Sequence, residues 1–232
     1  MRLSVVIPCY NEETRLPAAL AAALPHLETF LPDLELILVD DGSRDSTLEL
    51  LRRLQVEHPF VQALALPRNR GKGRAVAEGV ARTTGEVVLV TDADFSAPIV
   101  ELGKLTAAIA AGAEVAIGSR AVPGAREIDQ PLHRVLMGKA FNVVVQTLLL
   151  PGLKDTQCGF KLFRGESARS LFAGLTTDGF AFDVEVLFRA RRRGLTVVEV
   201  PVTWRNSDSS RVAPLRHSTQ MLRDVVKLRL KG

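Results

Sequence analysis

The sequence predicts an α/β protein with a largely parallel central sheet. Short runs of β-branched and other apolar residues alternate with helical patterns through the first half of the 232-residue chain. Such βαβ alternation is typical of parallel sheets. Polar and charged residues follow directly after several of the apolar runs. Because ligands of these folds bind at the carboxyl ends of the strands, we expect the functional residues to cluster there.

The alternation predicts five strands in the first half of the chain. They are LSVVIP, LELILVD, VQALAL, EVVLVTD and EVAIGS. Helices are expected to begin near Glu13, Ser46, Gly71 and Pro98. Asp45 or Ser46 is the expected N-cap of the second helix, because a short polar side chain satisfies a free amide there.

Two later segments are predicted to be helices with unusual surfaces. The segment LHRVLMGKAFNVVVQTLLLPG is apolar nearly all round, so it is either fully buried or lies against lipid. The last helix, from about Pro214 to Lys231, surrounds an apolar stripe with basic residues. That pattern suits an anionic membrane surface, and it equally suits a basic solvated face above an ordinary core stripe.

Length and composition limit the class of protein. The chain is 47% apolar and 5% aromatic, with a formal net charge of +4. The apolar content supports a substantial core, and the basic charge permits an anionic partner. The scarcity of aromatic side chains argues against nucleic-acid binding, which relies on base stacking when the nucleic acid is single-stranded. No internal repeat or linker is visible, so we expect one domain over residues 1–232.

Cysteine usage and hydropathy favour a cytoplasmic protein. Cys9 and Cys158 lie far apart in sequence, so neither a disulfide framework nor a CxxC zinc site is expected. No charged-then-apolar leader follows Met1, and no stretch of about 20 uncharged apolar residues occurs. We therefore expect neither export nor a membrane-spanning helix.

The strand EVVLVTD ends in a pair of acids, Asp92 and Asp94. Residues two apart at a strand end point the same way, so the two carboxylates can hold one hard divalent cation. Such ions usually bridge to the phosphates of a substrate. The pair therefore suggests a nucleotide diphosphate at this strand end, although acids in this position also occur as solvated loop residues or helix caps.

Further charged residues follow the second and third strands. Asp40 and Asp41 end the second strand, where a carboxylate can accept hydrogen bonds from a base or a ribose. Arg70 and Lys72 flank Gly71, but neither the P-loop spacing GxxxxGK[ST] nor GxGxxG is present. These cations either offset diphosphate charge or belong to the exposed start of a helix.

The second half of the chain adds candidates for the acceptor side. Arg120 and Arg134 are candidate anion clamps, because the arginine fork suits phosphate. Asp183 and Glu185 lie among apolar residues in a predicted buried helix, and buried carboxylates must be paired or functional. We expect a functional role for at least one of these two acids.

Eight segments together resemble glycosyltransferase family 2: VVIPCYNEE, ILVDDGSRDST, RNRGKGRAVAEG, DADF, IGSRA, DTQCGFKLF, FAFDVEVL and VPVTW. Within the family they are most similar to the branch of dolichyl-phosphate β-glucosyltransferases and polyprenyl-phosphate hexose synthases. The resemblance implies a GT-A fold in a single domain. Residues from about 1 to 120 would bind the nucleotide sugar, and residues from about 121 to 232 would form the acceptor side with interfacial helices.

The resemblance also implies roles for individual residues. Those that would contact the nucleotide are Pro8, Tyr10, Glu12, Asp41, Arg70, Lys72 and Asp92. Asp92 and Asp94 would contact Mg²⁺ or Mn²⁺ on the diphosphate. Arg120 and Arg134 match arginines that grip the acceptor phosphate, and Arg211 matches a basic residue near the diphosphate, although SDSSR stands where relatives have Gly-Ser-Lys. The implied catalytic residues are Asp92, Asp94, Arg120 and Arg134.

The implied activity is inverting, metal-dependent transfer of glucose from UDP-glucose to a polyprenyl phosphate. A phosphate monoester is already largely dianionic at pH 7, with a second pKa of about 6, so it needs no general base. The alternatives are transfer of mannose from GDP-mannose, transfer to a hydroxyl with Asp183 or Glu185 as the base, and a nucleotide-sugar sensor without catalysis. We expect peripheral contact with the cytoplasmic face of a membrane through residues 132–150 and the last helix.

Overall fold

The computed structural model describes residues 1–206 and 214–231, with the backbone alone for residues 132–134, 214–218 and 231. The strands over this range are β1 Leu3–Cys9, β2 Leu34–Asp40, β3 Val61–Ala65, β4 Val87–Thr91, β5 Val115–Ser119, β6 Arg126–Ile128, β7 Phe160–Arg164, β8 Val197–Pro201 and β9 Thr203–Arg205. The α-helices are α1 Leu16–Leu27, α2 Thr47–Glu57, α3 Lys72–Val80, α4 Leu102–Ala110, α5 Leu132–Leu148, α6 Gly165–Phe172, α7 Phe182–Arg192 and α8 Pro214–Lys231.

Seven of these strands form one sheet in the order β3-β2-β1-β4-β7-β5-β8. The neighbours β3, β2, β1 and β4 are all parallel, as are β5 and β8. This confirms the predicted α/β class and the predicted strands β1 to β5. Cys9 lies opposite Asp40 across the first ladder, so the carboxyl ends of these strands meet along one side of the sheet, called the carboxyl edge below.

Strand β7 interrupts the parallel order, because it runs antiparallel to both β4 and β5. Phe160 at its start lies opposite Thr91 at the end of β4. The residues just before β7 are therefore brought to the carboxyl edge from a distant part of the chain. The βαβ pattern of the sequence did not predict this insertion.

The sheet is buried on both faces, because helices cover each side. Alternate residues of β1 point to opposite faces. Val5 and Ile7 pack in one cluster with residues of α1, α2 and α4. Val6 packs in the other cluster with residues of α3, α5, α6, α7 and α8. This explains why the strands read as nearly continuous apolar runs.

Helices α5 and α8 pack against each other and leave part of their apolar surface exposed. In α5, Val145 is fully buried, whereas Leu136 and Val143 are 67% and 60% exposed. Of the two alternatives for this helix, complete burial is therefore wrong. Within residues 1–206 and 214–231, no helix has the length and apolar character needed to cross a bilayer.

Candidate functional site

Asp92 and Asp94 lie in a tight turn directly after β4, at the carboxyl edge. The amide of Phe95 donates to the Asp92 carbonyl over 3.1 Å, and the amide of Ser96 donates to Asp94 Oδ1 over 3.0 Å. The side chains of Asp92 and Asp94 are 35% and 21% exposed. The turn thus presents two carboxylates, partly open to solvent, at the end of a buried strand.

Each of these acids faces a cation. Lys72 Nζ, at the start of α3, lies 2.5 Å from Asp92 Oδ1. Arg15 Nη1, just before α1, lies 3.9 Å from Asp94 Oδ2. Burial by itself would lower the pKa of Lys72, but the carboxylates of Asp92 and Asp183 outweigh it and raise that pKa to about 12. Lys72 is therefore positively charged at neutral pH.

Glu12 holds Arg15 in place at the carboxyl edge. The buried Glu12 carboxylate accepts hydrogen bonds from Arg15 Nε, over 2.7 Å, and from Arg15 Nη2. The Glu12 amide donates to Thr47 Oγ1 over 2.7 Å, which ties this loop to the start of α2. Arg15 was not singled out from the sequence, although its place three residues after Glu12 in YNEETR permits this pairing.

Pro8 and Tyr10 lie at the end of β1, shortly before Glu12 in the chain. Pro8 pairs with Val39 in the parallel ladder, and Tyr10 follows the last residue of the strand. Both side chains are half-buried. Their predicted contact with a base or ribose stays a prediction, as does that of Glu12.

Asp41 organises the loop that leads into α3. Its carboxylate accepts hydrogen bonds from the amides of Arg70, over 2.7 Å, and Gly71, over 2.8 Å. Burial raises the pKa of Asp41 above its ordinary value, the two amide bonds oppose that rise, and Asp40 and Asp178 add to it. The structure shows Asp41 holding the backbone beside Lys72, and its predicted contact with the nucleotide stays a prediction.

Residues just before α7 also hold the loop before α3 in place. Gly71 has a φ of 104°, and a Cβ there would lie 2.5 Å from the Asp178 carbonyl oxygen. Arg74 Nε donates to Asp178 Oδ1 over 2.9 Å, and Arg70 Nη2 lies 3.8 Å from Oδ2 of the same residue. Asp178, which sequence reasoning missed, thus fixes the loop that carries Lys72.

The two acids of α7 are both paired within the protein. Asp183 Oδ1 accepts a hydrogen bond from Lys161 Nζ over 2.6 Å. Glu185 accepts bonds from the amides of Thr176, over 2.9 Å, and Thr177, over 2.7 Å. Both acids are buried, as predicted. Glu185 thus holds the 176–177 loop, and the predicted place of both acids in the acceptor site stays a prediction.

Arg120, directly after β5, is held by Asp155. Arg120 Nε donates to Asp155 Oδ2 over 2.7 Å and Nη2 donates to Oδ1 over 2.9 Å, while the guanidinium lies 5.3 Å from the ring centre of Trp204. Burial by itself would lower the pKa of the Arg120 guanidinium, but the charge and the hydrogen bonds of the Asp155 carboxylate together have the larger effect and raise that pKa. The backbone amide of Asp155 in turn donates a hydrogen bond to Glu199 Oε1 over 2.9 Å. The sequence did not reveal Asp155 as a partner of Arg120.

The remaining predicted arginines are described only in part. Arg134 lies in α5, whose backbone is described there, and its side chain is outside the description. Arg211 lies outside the described residues altogether. The predicted roles of both residues stay predictions.

The arrangement is suited to a divalent cation that a substrate helps to bind. Two carboxylates supply the oxygen ligands that Mg²⁺ and Mn²⁺ accept. Over the described part of the chain, no group of three or more His, Cys, Asp and Glu residues is placed to hold a metal ion. The ligand set therefore fits an ion whose coordination is completed by phosphate and water, with Lys72 and Arg15 nearby to balance anionic charge.

Comparisons with known proteins identify the family of the chain. The family model described as "Glycosyl transferase family 2" matches residues 4–172. A relative from Dictyostelium discoideum named dolichyl-phosphate β-glucosyltransferase is 36% identical, covering 99% of this chain and 74% of the relative. Relatives of the same name from Homo sapiens and Saccharomyces cerevisiae are 35% and 34% identical, covering 99% and 98% of this chain and 75% and 74% of their own lengths.

Solved structures support the fold. Glucosyl-3-phosphoglycerate synthase from Mycobacterium tuberculosis in complex with UDP matches with a TM-score of 0.70 and 22% identity, covering 99% of this chain and 79% of that one. The complex of that enzyme with Mn²⁺, UDP and phosphoglyceric acid matches with a TM-score of 0.72 and 20% identity, covering 99% and 78%. At 20–22% sequence identity, the similarity to these structures supports the fold alone.

Proposed function

Because the chain belongs to glycosyltransferase family 2 and has the GT-A fold, we propose that it transfers glucose from UDP-glucose to a polyprenyl phosphate of the dolichyl type, with inversion at the anomeric carbon. Relatives named dolichyl-phosphate β-glucosyltransferase match nearly the whole chain, and this supports the choice of sugar and acceptor. The observation that carries the proposal is the meeting of Asp92 and Asp94 with Lys72 and Arg15 at the carboxyl edge.

Asp92 and Asp94 would hold Mg²⁺ or Mn²⁺. A bound ion of this kind supplies positive charge that stabilises a departing diphosphate. The solved structures of the same fold include one with both Mn²⁺ and UDP, which supports the choice of ion and nucleotide. Lys72 and Arg15 would add positive charge from the protein itself, preorganised by Asp41 and Glu12.

The donor would lie over the carboxyl edge between β1 and β4. We propose that its base and ribose contact Pro8, Tyr10 and the loop around Asp41, and that its diphosphate lies near Arg70 and Lys72. Residues from about 1 to 120 then form the donor half of one domain. Residues from about 121 to 232 form the acceptor half.

The reaction needs no proton acceptor when the nucleophile is a phosphate. An acceptor phosphate oxygen forms a bond to the anomeric carbon while the bond from that carbon to the UDP oxygen breaks and UDP leaves with the electron pair. The acceptor is already largely dianionic, since its second pKa is about 6. A hydroxyl acceptor would instead need a carboxylate base, and Asp183 and Glu185 are both committed to contacts within the protein.

Arg120 would position the acceptor phosphate. Asp155 engages Nε and Nη2 of the guanidinium, and Nη1 is not part of that contact. A guanidinium held in this way is preorganised, because its side-chain freedom is already restricted. We propose that Arg134 joins it on the acceptor side and that Arg211 lies near the diphosphate.

The exposed face of α5 and α8 suits peripheral contact with a membrane, where a polyprenyl phosphate resides. Leu222, Val226 and Leu230 follow one another at four-residue intervals along α8 and are 44%, 42% and 81% exposed. Arg223 and Lys227 are exposed beside this stripe. An apolar stripe bordered by basic side chains is typical of helices that lie at an anionic membrane surface. We propose that this surface is the cytoplasmic face of the membrane.

The decisive experiment is transfer of label from UDP-[¹⁴C]glucose to a polyprenyl phosphate in the presence of Mn²⁺. Label that can be extracted into organic solvent is the expected product. Asp94→Asn should abolish this product while the circular dichroism spectrum stays that of the parent, and Asp33→Asn, an exposed acid in a turn, should leave it unchanged. An unaltered rate in Asp94→Asn would remove Asp94 from the metal site.

Three other outcomes would replace the proposal. Extractable label from GDP-mannose alone would indicate a mannosyl transferase. Mn²⁺-dependent binding of UDP in a calorimeter, without transfer or hydrolysis of UDP-glucose, would indicate a nucleotide-sugar sensor. Label on a soluble hydroxyl compound in place of the lipid phosphate would indicate a family 2 transferase with a hydroxyl acceptor.

A further inference from the structure

Lys161 carries a charge into the interior of the protein, directly beneath the carboxyl edge. It lies in β7, and its side chain is 3% exposed. Its ammonium donates to Asp183 Oδ1 over 2.6 Å and to the carbonyl oxygen of Cys158 over 2.6 Å. A buried charge is costly unless it is paired and hydrogen-bonded, so both partners are needed to keep Lys161 there.

The second partner connects Lys161 to the proposed metal site. The carbonyl of Cys158 belongs to the peptide that leads into Gly159, and Gly159 packs directly against Asp92. A Cβ at Gly159 would lie 2.5 Å from Asp92 Cγ and closer still to Oδ2. Lys161 therefore anchors the peptide that forms the wall behind the Asp92 carboxylate.

The first partner connects Lys161 to the other side of the same carboxylate. Lys72 lies 2.5 Å from Asp92 Oδ1, and its pKa is raised by Asp183 as well as by Asp92. Lys161 and Asp183 form one ion pair, Lys72 and Asp92 form another, and the Asp183 carboxylate acts on Lys72 electrostatically. Neutralising Lys161 would leave Asp183 without its paired cation, and the uncompensated Asp183 charge would then act on the Lys72–Asp92 pair.

We propose that Lys161 is a positioning residue for the divalent cation. With Asp183 as its counter-ion, it holds the Cys158–Gly159 peptide so that Asp92 keeps the orientation that binds the ion together with the donor diphosphate. The inference rests on the proposed function, since it concerns the same ion. Groups that orient metal ligands typically change metal affinity by about 10- to 100-fold when they are removed.

The test is calorimetric titration of UDP at a series of Mn²⁺ concentrations. Lys161→Met should raise the Mn²⁺ concentration at half-maximal UDP binding by about 10- to 100-fold. The matched control is Arg164→Met, at the opposite end of β7, where the guanidinium donates to the carbonyls of Ile109, over 3.0 Å, and Ala113, over 3.3 Å. Arg164→Met should lower the melting temperature and leave the Mn²⁺ midpoint at the parent value.

A double variant separates the effect of Lys161 on the metal site from its effect on the stability of the protein. Replacement of a buried ion pair by apolar residues is often neutral or stabilising. Lys161→Met with Asp183→Leu should therefore recover the melting temperature, while the Cys158 carbonyl stays without its ammonium donor and the Mn²⁺ midpoint stays raised. The inference would be overturned if the Mn²⁺ midpoint of the double variant returned to the parent value. It would also be overturned if Lys161→Met lowered the melting temperature and left the Mn²⁺ midpoint unchanged. Parent protein that binds UDP without regard to Mn²⁺ would instead overturn the proposed function.

Discussion

The backbone of Gly159 lies against the carboxylate of Asp92, across the antiparallel pairing of β7 with β4. A side chain at this glycine would occupy the space of the Asp92 carboxylate. The glycine is therefore required by close approach, because any Cβ there must displace a group of the proposed metal site.

Gly159→Ala is expected to reduce glucosyl transfer by at least about 100-fold, because the methyl group must push Asp92 away from its position. The rate of label transfer at saturating UDP-glucose measures this effect. The matched control is Gly103→Ala in α4, where a Cβ would meet nothing within 4 Å. That variant should keep full activity and gain stability of about 0.5–1 kcal/mol, as expected for alanine in a helix. Full activity in Gly159→Ala would contradict the placement of Asp92.

Lys72 should remain charged throughout the working pH range, because its pKa is about 12. We expect transfer to rise between about pH 5 and pH 7, as the acceptor phosphate loses its second proton, and to show no decline caused by Lys72 below about pH 11. A pH–rate profile of the parent and of Lys72→Met measures this. Lys72→Met should be slower by about 100-fold at every pH, with the acidic limb unchanged.

The raised pKa of Lys72 also predicts how the stability of the protein depends on pH. The pKa of Lys72 is raised above its ordinary value of 10.5, so the pairing with Asp92 contributes fully below that value and is lost as the pH rises through about 12. The free energy of unfolding of the parent should therefore fall more steeply than that of Lys72→Met in this range. Denaturant titrations at several alkaline pH values measure the difference, and parallel curves for the two proteins would contradict it.

Arg120→Lys should raise the KM for polyprenyl phosphate by about tenfold and leave the KM for UDP-glucose unchanged. Lysine keeps the charge but loses the planar fork that Asp155 holds through two nitrogens. Initial rates with each substrate varied in turn separate the two constants. An increase confined to the UDP-glucose KM would place Arg120 on the donor side instead.

Leu222→Asp combined with Val226→Asp should weaken sedimentation with anionic vesicles by at least about tenfold. Each change removes an exposed apolar side chain from the stripe on α8, and burial of such a side chain is worth about 1.5–3 kcal/mol. The control is Val56→Asp on α2, where the valine is 85% exposed but lies outside α5 and α8. Equal losses in the two proteins would show that the effect is not specific to this face.

Much of the first half of the chain was predictable from the sequence. Apolar runs identified β1 to β5, and the acids and cations that follow them were correctly expected at one edge, because parallel strands end together. The antiparallel β7 was not predictable in this way, since its pairing with β4 depends on a chain segment some 70 residues away. Arg120 and Asp155, separated by 35 residues, are brought together only by the completed sheet.

The sequence by itself determined the family, the βαβ order and the presence of paired carboxylates at a strand end, because these depend on local patterns and on motifs. The tertiary structure decided which group each charge faces. Asp92 meets Lys72 and Gly159, Asp183 meets Lys161, and Arg120 meets Asp155, each across a large separation in sequence. Such pairings are set by strand order and by the cost of leaving a buried charge alone, neither of which a linear pattern contains.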